Sequence, residues 1–158
     1  MLKNEETCYD VLPDEDFAKV WGVARLFNPD GGVQNVFMKP GDNPEKILKP
    51  FLKRGYIVVT MERLSEEDYL NEYVETLVHQ KDFAGKMADK HFNDAEFCGW
   101  SRRQHMKRFS RWVSVEEEIN SKIFNTVSMM VDKNFEVRNL DAFETYLYFS
   151  DAEEVTGN

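Results

Sequence analysis

The chain has 158 residues and a formal charge of −9, from 29 acidic and 20 basic side chains. A hydrophobic content of 42%, with 13% aromatic, excludes the apolar-poor composition of a chain that stays disordered, and the length predicts one compact domain over residues 1–158. The acidic balance excludes a uniformly basic coat of the sort that wraps nucleic acid or an anionic membrane.

Residues 1–16, MLKNEETCYDVLPDED, read as an acidic lead-in arm. They lack the basic start and apolar run of a secretory signal, and no window of the chain approaches about eighteen uninterrupted apolar residues. Cys8 and Cys98 stand far apart without a CxxC partner, which points away from a zinc knuckle or a disulfide framework. The expectation is a cytoplasmic protein, in the host cell if the chain is viral, with no membrane partner.

Residues 17–27 read as a strand with Val20, Gly22, Ala24 and Leu26 on one face and Trp21, Val23, Arg25 and Phe27 on the other, both mostly apolar. The break NPDGG at 28–32 and the run VQNVFM at 33–38 predict a hairpin with a loop longer than two residues. A helix follows, with Asp42 or Asn43 as N-cap, Pro44 in its first position, Glu45 in its first turn and Gly55 beyond its end. Pro50 shortens or kinks it. Ile47, Leu48, Phe51 and Leu52 form its buried stripe, and YIVVTM at 56–61 reads as an interior strand.

The remainder reads as mostly helical. Ser65 with Asp68 resembles a capping box, and apolar residues from Tyr69 to Val78 recur at helical spacing, continued by Phe83, Met87 and Phe92. Asn93 or Asp94 is expected to end that helix and cap the next, and Ser114 with Glu117 to open another that reaches about Asp132. Residues 143–149 fit a strand by aromatic content or a short helix by the spacing of Phe143 and Leu147. The predicted fold class is therefore α+β. An N-terminal β-β-α-β unit with a small, mostly antiparallel sheet occupies 17–62, helices occupy 65–132, and 134–158 holds the ambiguous segment and an acidic tail.

The most informative feature is the uneven charge. Arg102, Arg103, Lys107, Arg108 and Arg111 lie in a stretch without an acid between Glu96 and Glu116, so they carry +5 while all other residues together carry −14. At 100° per residue, Arg103, Lys107, Arg108 and Arg111 sweep one side of a helix, and Met106, Phe109, Trp112 and Val113 the other. Such a ridge grips phosphates or an acidic protein surface. The competing expectation is a solvated face, paired with the chain's own acids at 66–75 or 116–118. A second basic set, Lys46, Lys49, Lys53 and Arg54, lies on the helix after the hairpin.

Signatures of chemistry are sparse. GxSxG, Walker A, GxGxxG and HExxH are missing, as are RNP-type aromatic strings and finger spacing. Asp89, His91, Asp94 and Glu96 contain metal-ligating side chains but match no established spacing, and the expectation there is an exposed helix end near Asn93, with no metal or other cofactor. Cys98 beside the basic stretch is expected as a small core residue rather than a nucleophile, and Trp100 and Trp112 as core rather than stacking platforms.

These observations lead to a small, non-enzymatic, acidic interaction protein: an adaptor, inhibitor or assembly component that binds a protein partner. The profile suits a virus-encoded accessory or structural protein. Two alternatives stand beside it. One is nucleic-acid binding through the basic helix at 102–111, joined by Lys49 and Lys53; the other is an enzyme with an unrecognised site near Asp89, His91, Asp94 and Cys98.

Overall fold

A computed structural model of the chain describes residues 20–97 and 101–157. The acidic arm at 1–16, Cys8, Cys98 and Trp100 fall outside them. The architecture is α+β, in the order β1 (Trp21–Phe27), β2 (Val33–Met38), α1 (Pro44–Lys53), β3 (Ile57–Leu64), α2 (Glu66–Phe97), α3 (Arg102–Asp132) and α4 (Leu140–Gly157). Contacts divide the chain into two compact units, Met1–Tyr69 and Leu70–Asn158. No helix of the described residues is long and apolar enough to cross a membrane.

In the first unit, three strands form a sheet in the order β2-β1-β3, with β1 antiparallel to both neighbours. The turn closes between Phe27 and Val33: the Asn28 N–H donates to the Gly32 carbonyl at 2.7 Å, and Gly31 takes φ 101°, a conformation that glycine adopts freely. β3 is an edge strand rather than the expected interior one, and Ile57 and Val59 on it are exposed at 53% and 55%. Its apolar run misleads because β1, central in the sheet, provides the interior positions. Val59 is the extra residue where the register shifts, since Arg25 faces Thr60 while Leu26 faces Val58.

α1 covers one face of this sheet. Ala24, Leu26, Val36, Met38 and Val58 meet Leu48 in one buried cluster, flanked by Ile47, Phe51, Tyr56 and Met61. The local signals for α1 are realised. The Asn43 side chain accepts from the Lys46 N–H at 3.2 Å, Pro44 opens the helix, and Gly55 at φ 89° follows its end. Pro50 is accommodated inside the helix, which continues to Lys53. On the other face, Tyr69 packs against Trp21 and Phe37, with ring centroids 4.7 and 5.4 Å apart.

The second unit is helical. Ser65 caps α2 through its hydroxyl, which accepts from the Asp68 N–H at 3.1 Å, and α2 then runs unbroken past Asn93 and Asp94 to Phe97. Neither residue ends the helix, because Ala84, Ala88, His91 and Ala95 continue one buried row at spacings of four, three and four. That row replaces the expected stripe of large residues: Phe83 and Phe92 lie at its flanks, 56% and 45% exposed. Their rings meet Trp112 and Phe109 of α3 at 5.7 and 5.2 Å, so α2 and α3 form an antiparallel pair.

α3 is one helix from Arg102 to Asp132. Ser114 does not open a new one, because no glycine or proline interrupts the segment and a capping signature needs a chain break to act on. α3 ends at Lys133 and Asn134, the latter at φ 60°. The next turn is held by Asn71, whose amide donates to the Glu136 carbonyl and accepts from the Arg138 N–H, both at 2.9 Å. Residues 143–149 are helical. Asn139 caps α4 by accepting from the Ala142 N–H at 2.9 Å, and Tyr146 stacks on Phe124 of α3 at 5.5 Å.

Candidate functional site

Arg102, Arg103, Lys107, Arg108 and Arg111 occupy the first three turns of α3, and all five are exposed. Among the described residues, none of them makes an ion pair or a side-chain hydrogen bond. The cause lies in the sequence. A helix pairs charges three or four residues apart, and the segment from Phe97 to Val115 offers no acid at any such spacing. Three of the acids expected as partners turn elsewhere: Glu118 faces Lys122 at 3.9 Å, Glu75 faces His79 at 3.9 Å, and Glu116 lies over Gly85, where an added Cβ would stand 3.2 Å from its Oε2.

The cations are also placed against the helix dipole. The first turn of α3 contains no acid, and Arg102 and Arg103 sit at its positive end, an arrangement that costs roughly 0.3–1 kcal/mol per charge. The fold gains nothing from them there.

Arg103, Lys107 and Arg111 recur every four residues and form a row about 12 Å long. With Met106, Ser110 and Ser114 they line a shallow groove of about 540 Å³. Met106 therefore belongs to the basic side, contrary to its expected place opposite, and is 36% exposed. It precedes Lys107 by one residue but stands three from Arg103 and four from Ser110, spacings that put it on their face. Phe109 and Trp112 do point the other way, onto α2. Trp112 is half-buried, edge-on to Phe83.

The second basic set lies on α1, in the other unit. Lys46 and Lys49 line a recess of about 410 Å³ with Asn43, Glu45 and Leu52, and Lys53 is exposed. Arg54 differs from them. Its guanidinium stacks over Phe51 and Tyr56 at 5.1 and 5.7 Å, and its Nε donates to the Pro50 carbonyl at 3.3 Å, so it closes the end of α1.

A polar cluster joins α2 and α3 on another side of the pair. His91 is buried, not at an exposed helix end, and its Nδ1 lies 3.2 Å from Nδ1 of His105. Asp94 is one turn on from His91, and one ligating atom from each of the three falls within 4.8 Å of the others. Burial holds the His91 imidazole below its ordinary pKa, with His105, Arg108 and Lys90 lowering it further and Asp94 opposing them. Asp89 and Glu96 do not join: two residues before and five after His91, they project from other sides of α2 and are exposed. His105 was not expected here. The signal for it is positional, because α2 and α3 run antiparallel and residues near the end of α2 come level with residues near the start of α3.

Between α2, α3 and α4, a cleft of about 410 Å³ has a mixed lining that includes Lys81, Asp82, Asp141, Thr145, Val78 and Phe149, with Lys81 Nζ 3.4 Å from Thr145 Oγ1. Comparison of the chain with protein-family models, with curated proteins and with solved structures finds no match.

Proposed function

We propose that the chain is a non-enzymatic interaction protein, of the adaptor, inhibitor or assembly type, that docks an acidic segment of a protein partner on the outer face of α3. The observation that carries this reading is the row Arg103, Lys107 and Arg111, exposed and without a partner among the described residues, along a groove that also holds Met106, Ser110 and Ser114. Cations left without internal partners keep their full attraction for an external anion. An exposed methionine beside them offers an apolar contact that adapts to the partner's shape.

Charge supports a protein segment over a nucleic acid. Specific duplex binders neutralise on the order of six to ten phosphates, whereas this chain concentrates +5 on one short stretch and carries −14 elsewhere. A short acidic segment needs no more than the few cations that line the groove. The same reading places the chain in a reducing, cytoplasmic compartment, that of the host if the chain is viral, because Cys8 and Cys98 are widely spaced and have no paired motif.

Affinity capture from extracts of the native cell tests this, using the wild-type chain and the variant Arg103→Glu/Lys107→Glu/Arg111→Glu, with and without nuclease. The expected result is a protein retained by the wild type after nuclease treatment and lost with the variant. Retention that disappears on nuclease treatment assigns the groove to nucleic acid, and equal retention by both proteins removes α3 from the interaction.

A further inference from the structure

The pairing of α2 with α3 builds a second constellation that owes nothing to the basic row. His91 and Asp94 stand one turn apart on α2, His105 faces them from α3, and the two imidazole Nδ1 atoms approach to 3.2 Å with ring planes inclined by 31°. We propose that His91, Asp94 and His105 bind a divalent transition-metal ion of the zinc class, with the two Nδ1 atoms and one carboxylate oxygen as protein ligands and the remaining position open to water or to a donor from a partner.

The geometry supports this in three ways. Ligands at about 2.0–2.1 Å from a tetrahedral zinc stand about 3.3–3.4 Å apart, so the spacing of the two Nδ1 atoms already approximates that of ligands on one ion. The carboxylate of Asp94 lies within the 4.8 Å compass of the cluster and supplies the anionic donor that such a set needs. Finally, the cluster is held from both sides: His91 is 8% exposed within the buried row of α2, and the neighbouring Phe92–Phe109 contact fixes the two helices at this level.

Donor chemistry narrows the ion. Two imidazoles and one carboxylate match zinc, cobalt, nickel or copper, whereas magnesium and calcium take mainly oxygen ligands. Arg108 and Lys90 near His91 oppose any cation, so affinity depends on Asp94 to offset them. The competing arrangement is a hydrogen bond in which one Nδ1 carries the proton and the other accepts it. The two arrangements share a geometry and differ in what they do with zinc. An ion at this point clamps α2 to α3 and stabilises the folded chain by mass action.

The test is titration of the full chain, stripped with chelator, with zinc by calorimetry and with cobalt(II) by visible absorption. One equivalent of zinc, a tetrahedral cobalt spectrum and a rise in Tm with zinc are expected. His105→Ala should weaken zinc binding by at least about a hundredfold, more than loss of an outer-shell partner causes; Asp94→Asn, which keeps the shape of the cluster, should weaken it by about tenfold or more. No binding at about 100 µM free zinc overturns the proposal in favour of the shared hydrogen bond. Binding that both variants leave unchanged overturns it by placing the ion elsewhere.

Discussion

In the sheet unit Arg25 is held by side-chain hydrogen bonds across the strands. Its Nε and Nη2 donate to the two carboxylate oxygens of Glu62 at 3.3 and 2.9 Å, and its Nη1 donates to Asn35 Oδ1 at 3.2 Å. Arg54 in the same unit lies across two aromatic rings. In the helical unit Arg103, Lys107 and Arg111 meet no acceptor among the described residues. The difference follows from how each element presents neighbours. A strand gains cross-strand partners from the register alone, and Asn35 faces Arg25 directly while Glu62 lies on the diagonal. A helix must take its partners from three or four residues away, and the sequence of α3 withholds them. Cations of the first kind belong to the fold, and those of the second kind are available to something outside it.

The two units break most readily at different kinds of contact. Leu48→Ala removes the side chain that seals the sheet against α1 and should cost about 2–5 kcal/mol, read as a lower midpoint in urea unfolding. Asn71→Ala in the helical unit should cost about 1–3 kcal/mol by the same measurement, because it leaves the Glu136 carbonyl and the Arg138 N–H without the amide that satisfies them.

Charge substitutions sharpen the comparison at smaller scale. Arg25→Ala should destabilise by roughly 0.5–1 kcal/mol, the ordinary worth of an exposed bidentate pair. Arg103→Glu/Lys107→Glu/Arg111→Glu should change stability by no more than about 0.5 kcal/mol, since no partner among the described residues is lost and an acid at position 103, in the first turn, suits the helix dipole. Equal losses in the two variants would erase the distinction between structural and free cations.

The smallest expected effect is a pH dependence confined to the sheet. Hydrogen bonding from Arg25, aided by its charge, holds the Glu62 carboxyl below the usual carboxylate value of 4.5. Above that value the unfolded and folded states are both ionised and the contribution is fully present; as pH falls through the lowered folded value it is lost. Glu62 is exposed at 45%, so the difference should be a few tenths of a kcal/mol, detected as a flatter acid limb in Glu62→Gln.

Local chemistry made much of this molecule legible before its structure. Asn43, Pro44, Gly55 and Ser65 act within a few residues of themselves, and each stands at a helix end. The same kind of signature misled at Ser114 and Asn93, because a capping pair in a continuous helix has no end to cap. The edge position of β3 and the exposure of Phe83 depend on partners far along the chain, which local spacing does not encode. The site divides likewise. The basic row was visible as a run of charge, but its unpaired state depends on where Glu75, Glu116 and Glu118 turn. The His91–Asp94–His105 cluster was half visible, since the α2 residues share a turn and His105 arrives only through the antiparallel packing of α3.

The central claim, that the outer face of α3 is a docking surface, is tested most directly by the affinity of the captured partner for wild-type chain and for Arg103→Glu/Lys107→Glu/Arg111→Glu across a series of salt concentrations. The account predicts at least about a tenfold weaker Kd for the variant, about 1.4 kcal/mol, and a shallower dependence on salt. An unchanged Kd with an unchanged salt slope would contradict it.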